Sequence, residues 1–421
     1  MFGLTLEKLK SKVPEGGLFA DREWLWSSRP FELSKREKKT LQRLGQPLHR
    51  FQQASDEVYR QSMKGKLTPW LSKVLNAGKP QWLIDHQMAD HQHGVTPRVI
   101  RPDLLLTEDG FAISELDGVP GGIGTLACLS QTYADAGFEL FGGRDGMLDG
   151  FRSLMPEGGE ILVSEESSDY RPELDWLASQ LGDSFKAIAA EEWSGGEADV
   201  YRFFELFDLP NIPPARELAE RGNVTPPFKP HFEEKMWLAL FWAPALKTIW
   251  EKQLRGSHLE QLRKLIPFGW VVDPAVLPPH AALPRLGVNS WDEVGELSQK
   301  LRRLVLKVSG FSELAWGSRG VFMGHDMPSA EWKEAVGKAQ AEFGSQPWVM
   351  QDFAEARLVE HPYFDSETGV EQVMNGRVRL CPYYFINGEG RTNLGGCLAT
   401  IVPADKKKIH GMRDGILVPC I

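Results

Sequence analysis

Long apolar runs are missing from this chain. The longest, Met236–Leu246, has about half the length that a bilayer-spanning helix needs, so no spanning segment is expected. Cysteine is scarce. Cys128, Cys381, Cys397 and Cys420 are scattered over 421 residues without a CxxC pair, which argues against a disulfide framework or a thiolate zinc site and for buried core thiols. Positive charge is in deficit: the net charge of −9 speaks against nucleic acid or an anionic membrane as the main partner, although a local basic site can still hold a nucleotide. The N-terminal stretch MFGLTLEKLKSKVPEGG interleaves lysines with apolar residues and lacks the unbroken apolar segment of a signal peptide, so a cytoplasmic enzyme is expected. No GxxxxGK[ST] stretch occurs, which excludes a Walker A loop. The remainder is ordinary: 42% hydrophobic and 25% charged residues describe a globular protein long enough for two or three domains.

The most informative stretch is Arg101–Pro120, RPDLLLTEDGFAISELDGVP. Pro102–Thr107 and Phe111–Leu116 read as strands joined by the turn Glu108-Asp109-Gly110, and Gly118 and Pro120 end the second strand. Asp103 opens the first strand, while Glu115 and Asp117 close the second and, being two apart, share a face of it. An antiparallel hairpin sets these ends side by side. Three carboxylates held close repel one another unless a cation sits among them, and hard oxygen donors favour Mg²⁺ with phosphate oxygens completing its shell. Arg101 adds a fixed positive charge there. A surface hairpin with polar ends fits the same spacing.

Arg101, Asp103, Glu115, Leu116, Asp117 and Pro120 form an R-x-D, E-x-[N/D]-x-x-P pattern that resembles the glutathionylspermidine synthase family. Leu116 stands where that family has an aromatic residue, and Asp117 stands where it has Asn, adding a negative charge. The resemblance implies an α/β (α+β) architecture: an ATP-grasp fold in permuted order, with a pre-ATP-grasp α/β layer and an N-terminal helical segment. It implies three regions, with residues 1–95 helical, 96–230 holding the hairpin and the pre-ATP-grasp-like layer, and 231–421 binding the nucleotide. No amidase domain like that of bifunctional family members is recognisable.

Along the chain, Leu33–Met63 carries apolar residues at helical spacing, with Lys35–Lys39 as a solvated face. In Asp85-His86…Asp90-His91-Gln92-His93, the i, i+4 spacing of His86 and Asp90 would let them share a helix face, but nothing distant completes a metal shell. Gly118–Gly124 is a glycine-rich turn into a helix near Thr125–Ala136, with the wrong spacing for a dinucleotide fingerprint. Residues 158–215 read as an α/β unit: strands at Glu160–Ser164 and Phe185–Ala190, a helix at Glu173–Leu181 and helical character near Asp199–Leu209. After a proline-marked linker (Pro226, Pro227, Pro230), Glu233–Leu254 reads as one long helix kinked at Pro244. Its Ile249-Trp250 is similar to a family helix ending in Leu-Trp, but Ala243 falls where the family's nucleotide lysine stands. Lys235 or Lys247 is the available substitute.

The strand Leu304–Lys307, a loop from Val308 to Gly320 and the strand Val321–Met323 resemble the way ATP-grasp proteins cover a triphosphate. Backbone amides approach phosphate only where side chains are small, which Gly317, Ser318 and Gly320 provide. Ser309 offers a hydroxyl and Arg319 a guanidinium, and Lys307, on an apolar strand, is costly to bury without an anion. A plain β-turn would explain the glycines as well. Trp348–Phe353 (WVMQDF) resembles the strand beside adenine, with Gln351 and Asp352 at the hinge and Glu355 or Glu360 near the ribose. Arg379, preferred over Arg377, would face the γ-phosphate and acyl group, and Asn393 with Gly395-Gly396 resembles the segment lining the reaction centre.

The expected function is an ATP- and Mg²⁺-dependent carboxylate–amine ligase working through an acyl phosphate. Asp103, Glu115 and Asp117 would hold metal, Lys307 and the loop would fix the phosphates, and Arg101 would stabilise the tetrahedral intermediate. The resemblance implies a glutathione-like or other peptide carboxylate and an amine acceptor such as a polyamine. A non-catalytic nucleotide- or peptide-binding relative is the alternative, and a kinase would use the same ATP site.

Overall fold

The computed structural model describes residues 4–14, 16–18, 24–276, 283, 285–315, 317, 319–406, 409 and 414–421. The chain divides into two compact units: residues 1–50, 95–228 and 355–421 form the first, and residues 51–94 and 229–354 the second.

Alternating strands joined by short turns build the main sheet of the first unit. Its strands are β1 (Val99–Thr107), β2 (Gly110–Asp117), β11 (Leu358–Phe364), β12 (Glu371–Ile386), β13 (Thr392–Pro403) and β14 (Ile416–Pro419), all paired antiparallel. The order is β14-β13-β12-β1-β2, with β11 also on β12. One face is apolar: Ile100, Leu104, Leu106 and Ile113 are buried. The expected turn joins β1 to β2, with Thr107 paired to Gly110 and Gly110 at φ 140°, where a side chain would be strained.

The α/β unit expected over residues 158–215 belongs to the same unit as a parallel sheet, β4-β3-β5-β6, of β3 (Gly159–Val163), β4 (Phe185–Ala189), β5 (Asp199–Phe203) and β6 (Val224–Thr225). The helix Arg171–Leu181 connects β3 to β4. The helical reading of Asp199–Leu209 is corrected: Asp199–Phe203 is strand β5, followed by a 3₁₀ turn at Leu206–Asn211. Val200 to Phe203 are all buried, and a strand covered on both faces shows no alternation to separate it from a helix.

The second unit contains the antiparallel sheet β7-β10-β8-β9, formed by β7 (Gly269–Val271), β8 (Leu304–Val308), β9 (Val321–Met323) and β10 (Trp348–Asp352). Its core packs Leu304, Leu306, Val308, Trp348 and Met350 against Trp332, Val336 and Ala339 of the helix Ser329–Ala341. Lys35–Met63 is helical with Pro47 inside it. The single helix read over Glu233–Leu254 is instead broken into Met236–Leu240, a 3₁₀ turn at Pro244–Leu246, and Lys247–Gln253. Ala243 is extended at ψ 122°, the conformation that a following proline imposes, so Pro244 ends the helix rather than bending it. No described helix is long and apolar enough to cross a membrane.

Candidate functional site

The hairpin end is built by a β-bulge. From the turn up to Leu104↔Ile113 the β1–β2 ladder is regular; then the register shifts, pairing Asp103 with Glu115 and Arg101 with Asp117. Ser114 is the extra residue, and its hydroxyl donates to the Asp103 carbonyl at 3.1 Å. Residues directly opposite share a face of the sheet. The bulge therefore sets Arg101, Asp103, Glu115 and Asp117 on one face, whereas an unshifted ladder would oppose Asp103 to Ser114 and turn Glu115 and Asp117 away.

On the other flank of β1, Leu105 pairs with Arg379 of β12, and the same register carries Cys381 alongside Asp103 and Tyr383 alongside Arg101. Arg101 donates from Nε to Asp103 Oδ1 at 3.1 Å and from a terminal nitrogen to the Gly121 carbonyl at 3.0 Å, and it pairs with Asp117. Arg379 donates to Asp103 Oδ2 at 2.9 Å, Cys381 Sγ lies 3.4 Å from Asp103 Oδ1, and the Val119 amide donates to Asp117 at 2.9 Å. Guanidinium groups thus pair with two of the three carboxylates, Asp103 and Asp117. Arg377 donates to the Ala404 carbonyl.

Burial opposes the charge on Arg101, but Asp103 and Asp117 overcome it and hold the guanidinium well above its ordinary pKa. Burial raises the Asp117 carboxyl; Arg101 opposes this, while Glu115 and Asp103 add to it. Burial, aided by Asp103, pushes the Cys381 thiol up to about 12, so it is a neutral donor rather than a nucleophile. The turn after β2 is fixed from several sides: Tyr383 donates to the Gly121 carbonyl at 2.5 Å, and the buried Glu173 carboxylate accepts from the amides of Gly122 at 2.7 Å and Thr125 at 3.1 Å. Cys381, Tyr383 and Glu173 escaped the sequence reading. The alternation Arg379, Cys381, Tyr383 along one strand was the available signal for the first two; for Glu173 there was none.

The second unit holds the nucleotide candidates. Lys307 on β8 is buried, lies opposite Val349 of β10, and donates to Gln351 Oε1 at 3.1 Å. Asp352 pairs with Arg285 at 2.7 Å, and its amide donates to the Phe268 carbonyl. Gly317 has φ 63°, and a Cβ at Gly320 would lie 2.7 Å from the Leu314 carbonyl, so both glycines are required by the backbone path. Arg319 is exposed, and Ser318 lies outside the described residues. Ser309 does not present the free hydroxyl that was expected: it is fully buried, donates to Glu234 and accepts from the Met236 amide at 3.0 Å. Lys235 donates to the Ala315 carbonyl at 3.0 Å.

His86 and Asp90 do not share a helix face, because the helix Gln81–Met88 ends before Asp90 and a separate 3₁₀ turn begins there. Among the described residues no three His, Cys, Asp or Glu side chains are grouped as a metal-binding set.

No family model matches the chain, and no curated protein matches it in sequence. Among solved structures it is similar to a glutathione synthetase-like effector from Globodera pallida in apo form, at TM-score 0.56 and 14% identity over 99% of this chain and 96% of that one. A putative gamma-glutamylcysteine synthetase from Methylobacillus flagellatus KT aligns at TM-score 0.40 and 11% identity, over 87% of this chain and 85% of that one. The first of these likenesses is one of fold, a mixed α/β architecture similar to that of the glutathione synthetase-like effector.

Proposed function

We propose that the chain is an ATP-dependent carboxylate–amine ligase related to glutathionylspermidine synthase and built on a permuted ATP-grasp fold. The observation that carries this is the bulged hairpin end, where Arg101, Asp103, Glu115 and Asp117 share one face with Arg379 beside them. A fold likeness alone would not carry function, because sites and not folds perform chemistry.

The donor chemistry is of the kind magnesium takes. Carboxylate oxygens are the hard donors it prefers, and the Asp117 oxygen that accepts from the Val119 amide keeps a second lone pair. Three carboxylates against two guanidiniums also leave a net negative charge at this end. Asp103, Glu115 and Asp117 would hold the metal together with phosphate oxygens of ATP, and the metal would neutralise charge on the transferring phosphoryl group. Lys307 would exchange its bond to Gln351 for one to phosphate, while Gly317, Ser318, Arg319 and Gly320 would cover the triphosphate. Gln351 and Asp352 would lie at the hinge beside the base.

Arg379 would align the substrate carboxylate for phosphorylation, and Arg101 would meet the oxyanion that forms when the amine attacks the acyl phosphate. Both guanidiniums are held by Asp103, so neither needs to reorganise during the reaction. A peptide or glutathione-like carboxylate and an amine acceptor are the substrate classes we propose.

The test is phosphate release from ATP and Mg²⁺ with pools of peptides and amines. The expected result is ADP and phosphate only when a carboxylate and an amine are both present, with turnover abolished in a folded Glu115→Gln variant. Release with the carboxylate alone, leaving a phosphorylated product, would make the protein a kinase. ATP binding without turnover in any pool would favour a non-catalytic relative, and absence of ATP binding would remove the reading.

A further inference from the structure

The start of the 309–320 loop is anchored by a buried group of side chains that the proposed chemistry does not use. Glu234 is 5% exposed. One of its oxygens pairs with Lys79 and the other accepts from the Ser309 hydroxyl. Ser309 in turn accepts from the Met236 amide at 3.0 Å, its carbonyl accepts from the Lys235 amide at 2.8 Å, and its own amide donates to the Pro347 carbonyl at 3.0 Å. Every polar group of Ser309 is therefore engaged within the second unit.

The next two residues are equally constrained. A Cβ at Gly310 would lie 2.5 Å from the Glu233 carbonyl, so the loop backbone lies directly against the 233–236 segment. Phe311 adopts φ 49°, uncommon for an aromatic residue, and its ring lies 5.3 Å from the Lys79 ammonium. Lys79 thus touches the loop twice, through Glu234 and over Phe311. A lysine and a glutamate both withdrawn from water are a poor source of stability, since desolvation offsets most of their attraction. What such a pair does supply is a fixed orientation for the carboxylate, and the oxygen not paired with Lys79 is the one that accepts from Ser309 in the loop.

We infer that Glu234, oriented by Lys79, is a positioning residue that sets the phosphate loop in its nucleotide-binding conformation through the Ser309 hydroxyl. This rests on the nucleotide reading above. A loop whose amides must face a polyanion gains affinity by being held in place before the ligand arrives, because the ordering cost then falls on the fold rather than on binding.

Two double variants separate positioning from simple burial of a charge pair. Lys79→Met with Glu234→Gln removes both charges but keeps a carbonyl oxygen for Ser309, while Lys79→Met with Glu234→Met removes the acceptor as well. The measurement is the dissociation constant of Mg²⁺-ATP by calorimetry, with the thermal midpoint of each protein recorded alongside. The expected result is affinity within threefold of wild type for the Gln pair and at least tenfold weaker for the Met pair. Equal affinity in the two double variants would overturn the inference. Ser309→Ala covers the case in which neither double variant folds: at least tenfold weaker ATP binding is expected, and an unchanged constant overturns the inference. Wild-type protein that binds no ATP would fail the underlying nucleotide reading instead, so the two failures are distinguishable.

Discussion

Acidification is expected to unfold this protein through its buried imidazoles. His49, His231 and His361 are all nearly inaccessible to water, and each is lowered from 6.5 to about 4. Burial is the largest cause in all three; Arg50 adds to it at His49 and Arg29 at His361, whereas Asp56 opposes it at His231. The folded pKa lies below the unfolded one, so the unfolded chain takes up protons first as pH falls. Stability is then lost from about pH 6.5 downward, and the loss is complete below pH 4. Each group withdraws roughly 2 kcal/mol between pH 7 and pH 5, so the three together approach the whole margin of an ordinary domain. The buried carboxyls of Asp117 and Glu173, both raised by burial, act in the opposite direction, so the wild-type profile alone does not isolate the effect. The informative comparison is urea unfolding at pH 7 and pH 5 for wild type and His361→Gln. Gln cannot titrate, and it can still meet the Ser27 hydroxyl that lies 3.0 Å from His361 Nε2. The variant should lose about 2 kcal/mol less than wild type over that interval. Equal losses in the two proteins would refute the assignment of a depressed imidazole.

Lys307→Met should weaken ATP binding at least tenfold in calorimetry, while the thermal midpoint holds or rises, because a buried ammonium is exchanged for an apolar chain of similar shape. A lower midpoint with unchanged ATP affinity would reverse both halves of that expectation. Trp332→Ala should cost about 3–5 kcal/mol in denaturant unfolding of the second unit, since the ring is fully buried in its core. Deleting Ser114 leaves a regular ladder in which Asp103 still opposes Glu115 and Arg101 still opposes Asp117, so ATP-dependent turnover should persist in a protein with unchanged far-ultraviolet circular dichroism; loss of turnover would show that the bulge itself is needed.

Legibility in the sequence followed the kind of signal each residue leaves. The hairpin was readable because its turn residues and alternating strands are local, and because Arg101, Asp103, Glu115 and Asp117 are unusual in so short a stretch. Its bulge was not readable, since a strand with one extra residue looks the same as a regular one until its partner's register is known. Asp199–Phe203 was misread because Val200–Phe203 are buried on both faces and show no alternation. Glu233–Leu254 was misread because a proline that ends a helix and one that bends it look alike in sequence. Ser309 looked like a ligand-facing hydroxyl because its true partner, Glu234, is distant in the chain. Lys79 is more distant still, and no spacing rule connects it to either.

The bulge at Ser114 corrects parity on the strand that carries it. Side chains along a regular strand take only two values, up or down, so one added residue would invert every position beyond it. Here the added residue is absorbed between Ile113 and Glu115, and Asp103 still opposes Glu115 while Arg101 opposes Asp117. The same four residues therefore have two chemically different surfaces open to them on one backbone, an arginine facing three carboxylates when the bulge forms and an arginine beside one when the ladder runs straight through Ser114. Loss of such a site need not pass through damaged side chains: all four residues can remain in the sequence while the bulge between them is lost. A motif search that reads only the residue types from Asp103 to Glu115 therefore does not tell the two surfaces apart.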